Sequence, residues 1–211
     1  MKTTTEIFNR LDMQKQIKIL TAITTEFGSY GYDKASIRNI SKNLGISIGS
    51  LYQYFTHKQG MLAACIEYIY SVLETYTENI VNQPLILSQR ITSWLDSIEE
   101  LGSKHPEIIS FYNKIPTDKV LYLEWRKQFD EHESFFKTYL ETVKTLQAQK
   151  NLAQKIDPIV YTFIIDSLML SSEFSRNMQY QKIKSKIFLQ EDYQNFELLK
   201  KQIISFLNTI R

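Results

Sequence analysis

The chain of 211 residues is 43% hydrophobic and 23% charged with a formal net charge of +2, enough apolar content for a real core and too little bulk charge to mark a nucleic-acid binder by itself. Its single cysteine, Cys65, excludes an internal disulfide framework and a thiolate cluster for zinc. No apolar run approaches the roughly 18 residues of a membrane span, and the opening MKTTTEIFNRLD lacks a signal-peptide apolar segment, so a cytoplasmic protein with no membrane partner is expected.

Six glycines and four prolines are few for this length, and apolar spacing of three to four almost throughout predicts helices and no sheet. Residues 1 to about 12 read as a polar, mobile arm. A helix is expected from Met13 to Gly28, with Ile17, Leu20, Ile23 and Phe27 as its inner stripe, ending at Gly28 and Gly31. Next comes SIRNISKNLGISIGSLYQYF, residues 36–55. Ser36 can cap a short helix bearing Ile37, Ile40 and Leu44 on one face, and Gly45 can end it. Ser47 can cap a second helix. Small Ser41 suits a close crossing, Ile46 and Leu51 turn inward, and Arg38, Ser47, Ile48, Ser50, Tyr52, Gln53 and Tyr54 are left outside. That is a helix-turn-helix, whose second helix enters a DNA major groove. The first 60 residues hold eight basic against four acidic side chains, and the remainder 17 against 19. The basic excess therefore lies at the helix-turn-helix end.

Thr56-His57-Lys58-Gln59 has the form of a capping box opening a fourth helix, with Leu62, Ile66, Ile69, Leu73 and Tyr76 as its stripe toward Pro84. Its N-terminus with Lys58 is a natural phosphate seat. Beyond Pro84, helices are expected near 86–102, 106–114, 118–149, 158–178 and 192–210, with Asp118 and Asp157-Pro158 as start signals. Val160, Phe163, Ser167, Leu170 and Phe174 step by three and four, and so do Phe196, Leu199, Ile203, Phe206 and Ile210. Two copies of this pair would form a four-helix bundle across a twofold axis, a homodimer interface.

The segment ILTAITTEFGSYGYDKASIRNISKNLGISIGSLYQYFTHKQGML resembles the N-terminal domain of the TetR family of bacterial transcriptional regulators. The likeness runs from about Ile19 to Leu62 and rests on Phe27 and Gly31, Ser36, the Gly45 turn, the L-Y-x-Y-F run at Leu51 to Phe55, and Lys58. The rest resembles the family only in length and helical pattern. The resemblance implies an all-α protein in which residues 1–58 form a three-helix DNA-binding domain and 59–211 a helical effector-binding and dimerisation domain. It implies a homodimer on double-stranded DNA with a palindromic operator, usually a repressor, released by a small molecule. Position by position, Arg38, Ser47, Ile48, Ser50 and Gln53 become base readers. Ser36, Tyr52, Tyr54 and Lys58 become phosphate contacts, and Gly49 admits close backbone approach. The chemistry agrees, since Arg38 can fork onto guanine, Gln53 can pair an adenine edge and Ile48 can meet a thymine methyl. Many members carry lysine where this chain has Ile48.

Aromatics at helical spacing are ordinarily core, yet a subset can line a cavity for a small apolar or amphipathic inducer. The candidates are Trp94, Phe111, Tyr112, Tyr122, Trp125, Phe129, Tyr139 and Phe163, with Asp166 as a carboxylate for a cationic ligand or a partner across the dimer seam. No catalytic set, cofactor loop or metal site emerges: His57, His105 and His132 stand apart, and Cys65 lies on an inner stripe as a buried structural thiol. A regulator without an inducer, and a helical carrier of an apolar ligand, are the competing readings; an enzyme is not expected.

Overall fold

The computed structural model describes residues 4–81 and 87–129, positions 140, 144, 157, 159, 160, 163, 164 and 167, and residues 200–205. Every regular element among them is helical, so the fold is all-α as composition and spacing predict. The chain divides into two compact units: residues 1–73 with 105–133, and residues 74–104 with 134–211.

In the first unit the expected mobile arm is replaced, over residues 4–12, by a short helix, α1 (Glu6–Asn9). Thr5 caps it, its hydroxyl oxygen accepting from the Phe8 amide at 3.4 Å, and Phe8 is buried. Asp12 then caps α2 (Met13–Lys34) by accepting from the Lys15 amide at 2.9 Å. This helix does not stop at Gly28. It continues to Gly31, where φ 76° and ψ 174° interrupt it, a conformation that is glycine territory because any Cβ would collide with the backbone. Gly28 instead marks a close crossing, since a Cβ there would stand 2.7 Å from the Phe111 amide nitrogen on α7 (Pro106–Lys114). The inner stripe of α2 is Ile19, Ile23 and Phe27, stepping by four. Ile17, expected among them, is 44% exposed; two residues from Ile19 it lies about 200° around the helix, on the other face.

The hairpin α3 (Ile37–Leu44) and α4 (Ile48–Phe55) follows, packed through Ile40, Leu51 and Phe55. Next, α5 (Lys58–Val81) carries buried Leu62, Ile66 and Ile69, with Cys65 beside them. Its cap differs from the expected box. Thr56 has φ 64° and closes α4, so His57 takes the capping position and its Nδ1 accepts from the Gly60 amide at 2.8 Å. After α7, a 3-10 turn (Ile115–Thr117) leads to α8 (Lys119–Phe129). Asp118 starts α8 as expected, one carboxylate oxygen accepting from the Val120 and Leu121 amides at 3.0 and 3.1 Å. Its other oxygen accepts from the Tyr32 amide at 2.8 Å, so one side chain fixes both the start of α8 and the turn after Gly31.

In the second unit α6 (Leu87–Lys104) buries Trp94, Leu95 and Leu101, and its Asp96 accepts from Lys200 Nζ at 2.5 Å. Asp157 caps the next helical start, accepting from the Ile159 and Val160 amides. The rest of the helices expected at 118–149, 158–178 and 192–210 falls outside the described residues.

Candidate nucleic-acid interface

The local sequence sets the α3–α4 hairpin by capping. Ser36 Oγ accepts from the Asn39 amide at 3.3 Å, and Ser47 Oγ accepts from the Ser50 amide at 3.0 Å, each satisfying an orphan donor of its helix. Between them Gly45 adopts φ 68°, ψ 29°, and the Ile46 amide closes back on the Ser41 carbonyl at 3.1 Å, a left-handed stop of the Schellman kind. Ser41 is buried at the crossing, its hydroxyl donating to the Arg38 carbonyl at 2.9 Å. The chain entering α3 is pinned from α2, where buried Glu26 accepts the Ser36 amide at 2.8 Å.

This frame leaves Arg38, Ser47, Gly49 and Gln53 exposed, together with Ile48 and Tyr52 at 41% and 42%. Ser36 and Ser50 are half-buried. Large, partly exposed Ile48 and Tyr52 on a short helix are a cost in water unless something covers them. Gly49 is instructive for a different reason. A Cβ there would meet nothing nearer than Ser47 Oγ at 3.6 Å, so the fold itself does not require glycine, which costs about 1 kcal/mol in a helix. Its smallness suits a close approach from outside.

Two expected contacts are placed differently. Tyr54, expected to face outward, is 8% exposed because Phe8 and Phe55 pack edge-on against its ring at 5.9 and 6.3 Å. Lys58 is half-buried, its ammonium donating to the Ala35 carbonyl at 2.7 Å and the Asp33 carbonyl at 3.5 Å. It also lies 4.9 Å above the Tyr32 ring. It thus serves the carbonyl end of α2, as a cation should at a helix C-terminus. Tyr32 is held neutral more strongly than an ordinary tyrosine, first by burial and then by the charges of Asp33 and Glu124.

The aromatic candidates for an effector cavity separate. Trp125 stacks on Tyr70 at 4.6 Å and meets Tyr112 edge-on at 4.9 Å, with fully buried Phe111 at 6.3 Å. These rings occupy one another's space in the first unit. Tyr122 is 45% exposed on α8, and Trp94 is buried in the second unit. Phe129 lies at the end of α8, and Tyr139 and Asp166 fall outside the described residues. Of the seam residues, Val160 is 49% and Phe163 71% exposed. Ser167 is exposed and Ile203 half-buried, while Leu170, Phe174, Phe196, Leu199, Phe206 and Ile210 lie outside the described residues. Burial pushes the Cys65 thiol up, partly opposed by a hydrogen bond from Thr24, so it is held as the neutral thiol in the core. His57 caps α5, and His105 Nδ1 sits 3.3 Å from Glu107; His132 falls outside the described residues. Among the described residues no cluster of His, Cys, Asp or Glu able to hold a metal occurs, and no helix is long and apolar enough to cross a membrane.

The sequence reading missed Thr5 and Phe8, which touch α4. The Thr5 amide donates to the Tyr54 carbonyl at 2.9 Å and its hydroxyl to the Gln53 carbonyl at 2.7 Å. The signal available was Phe8, the one aromatic in a largely polar opening.

A capped helical hairpin with a buried crossing and an exposed polar and aromatic second helix defines a helix-turn-helix DNA-binding domain. Residues 19–65, which hold most of α2, the α3–α4 hairpin and the start of α5, match the family model of bacterial regulatory proteins, tetR family. Solved structures extend the likeness across the fold. A TetR family regulator from Agrobacterium tumefaciens is 16% identical with a TM-score of 0.68, over 92% of this chain and 97% of that one. A TetR family regulator from Chloroflexus aurantiacus J-10-FL is 18% identical with a TM-score of 0.61, over 97% and 96%. The transcriptional regulator FadR from Bacillus subtilis, in complex with stearoyl-CoA, is 14% identical with a TM-score of 0.62, over 90% and 96%. A search of curated proteins returns no match.

Proposed function

We propose that this chain is a homodimeric, cytoplasmic repressor that reads a palindromic operator through α4 and is released by a small apolar or amphipathic ligand. The observation that carries it is the outward set on the α3–α4 hairpin: Arg38, Ser47, Ile48, Gly49, Tyr52 and Gln53 are exposed while Leu51 and Phe55 anchor the opposite side. Arg38 and Gln53 supply the bidentate donors and acceptors that major-groove recognition requires, and Ile48 an apolar contact for a thymine methyl. Ser36, Ser50 and Tyr52 are the phosphate or base contacts beside them. Lys58, already spent on two carbonyls, retains a third donor for a phosphate. In this division residues 1–58 read DNA and the remainder serves the effector and the dimer.

The dimer reading is supported by Val160 and Phe163, large apolar side chains left exposed three residues apart behind the Asp157 cap. Two domains related by a twofold axis would lie in successive major grooves about 34 Å apart. The ligand reading takes its chemistry from the Bacillus subtilis FadR complex with stearoyl-CoA, so long-chain acyl-CoA is the first probe. An effector that displaces α5 would alter the spacing of the two reading helices, to the extent that it binds one spacing better than the other. The Tyr70, Phe111, Tyr112 and Trp125 cluster, being packed on itself, favours the second reading, a DNA-binding regulator without an inducer. A thermal-shift series with acyl-CoA separates the two, because a real effector raises the melting temperature with its occupancy.

Footprinting tests the reading of bases. Arg38→Ala and Gln53→Ala are each expected to relax the sequence preference at one position of every half-site, at a cost of about 1–3 kcal/mol for a bidentate contact. Unaltered preference in both variants would remove the α3–α4 hairpin from the role.

A further inference from the structure

The short helix α1 belongs to no part of the helix-turn-helix, yet it is fastened to the end of it. Helix α4 has eight residues, so half of its carbonyls fall in its last turn, where a helix has no donors of its own. Thr5 supplies two of the missing donors: its amide reaches the Tyr54 carbonyl at 2.9 Å and its hydroxyl the Gln53 carbonyl at 2.7 Å. The following turn drives Phe8 against Phe55 and Tyr54, with ring centroids at 4.9 and 5.9 Å, and Phe8 is 3% exposed. The same Thr5 hydroxyl oxygen accepts the Phe8 amide, so the clip and the hydrophobic plug are one rigid piece.

We propose that Thr5 and Phe8 are positioning residues for DNA reading. They hold the C-terminal turn of α4, and with it the backbone from which Gln53 projects, at the angle at which Gln53 meets a base edge. The inference rests on α4 being the reading helix. It is not reducible to stability, because the atoms held are the carbonyl of the reader and that of its neighbour. A tilt of the last turn swings the Gln53 amide away from a bidentate geometry, while the phosphate contact at the start of the hairpin, from Ser36, stays in place. Loss of the clip therefore removes discrimination before it removes affinity for DNA in general.

The test uses the full chain and an operator obtained by selection from random duplexes. Affinity for the operator and for unrelated duplex is measured for wild type, Thr5→Val, Thr5→Ser and Gln53→Ala, with the double variant Thr5→Val/Gln53→Ala completing a cycle. Thr5→Val keeps the shape and the amide and removes the hydroxyl. It is expected to lower the ratio of operator to unrelated affinity about three- to tenfold, the value of the hydrogen bond to the Gln53 carbonyl, while the bond from the Phe8 amide lost with it is read in the melting temperature. Thr5→Ser is expected to restore the ratio. In the Gln53→Ala background Thr5→Val should change the ratio little, because its effect passes through Gln53. Phe8→Ala is a harsher variant that can lower the melting temperature, and the Thr5 series stands without it. A Thr5→Val protein with a lowered melting temperature and an unchanged ratio would reduce the clip to a stabilising contact and overturn the proposal, as would additivity with Gln53→Ala. Wild type with no preference for any sequence would instead overturn the reading role of α4 on which the proposal stands.

Discussion

Gly31 and Asp118 show how single residues set the geometry of this protein. Gly31 breaks α2 with a backbone angle that other residues reach only under strain, and Asp118 from the turn before α8 takes the amide that the break exposes. A Cβ at position 31 would run into the Asp118 carboxylate. Gly31→Ala is thus penalised twice, by conformation at about 1–3 kcal/mol and by displacement of Asp118. The urea midpoint is expected to fall by a corresponding amount with an unchanged slope, and an unshifted midpoint would contradict the account. The sequence made Gly31 visible as a stop but not its reason, because the acceptor that makes the break tenable lies 86 residues beyond Tyr32.

The hairpin α3–α4 was legible down to its caps. Ser36, Gly45 and Ser47 each act on residues within three or four positions, so their signals are local. Elements defined by distant partners were not legible. Helix α1 has one inward side chain, Phe8, and the hydrogen bond from its Thr5 cap to the Gln53 carbonyl joins residues 48 apart. A polar opening with one aromatic does not announce such a dock. The Thr56 box failed because the end of α4 took Thr56 into a positive φ, and His57 assumed the cap. Tyr54 was misplaced with them, since its cover comes from α1. The Asp118 carboxylate accepts three amides on two elements, and Asp118→Asn must turn an NH2 group toward one set or the other. The variant is expected to lose about 1–3 kcal/mol, the cost of unpaired groups in a half-buried site. Stability equal to wild type would show that the α2 turn and the start of α8 do not depend on it.

At the scale of the molecule, a near-neutral chain concentrates its basic excess in the first 60 residues, the segment that holds the α3–α4 hairpin. Phe163, 71% exposed, tests the proposed dimer. Phe163→Asp removes no core contact in the single chain, so it is expected to leave the folded helix content within error while converting the protein to monomer in sedimentation and weakening operator binding. A dimer that survives would exclude this face. Alkaline stability is the other global property. Burial raises the Tyr32 and Tyr68 hydroxyls above the ordinary value of 10.0, with nearby carboxylates adding to the shift, although Thr21 opposes it at Tyr68. The unfolded chain releases these protons first, so their contribution is whole below pH 10.0 and is lost as pH rises beyond it. The urea midpoint should therefore fall between pH 9 and about 11, and Tyr32→Phe should flatten that fall; an unchanged slope would contradict the shift.

The central claim, that α4 reads DNA sequence, is tested most directly by selecting duplexes from a random pool with the full-length protein. The account predicts enrichment of an inverted repeat whose half-sites are about one helical turn, or a whole number of turns, apart, and loss of that enrichment when Arg38 and Gln53 are both changed to Ala. A pool that stays random, or a repeat enriched equally by the double variant, would contradict it.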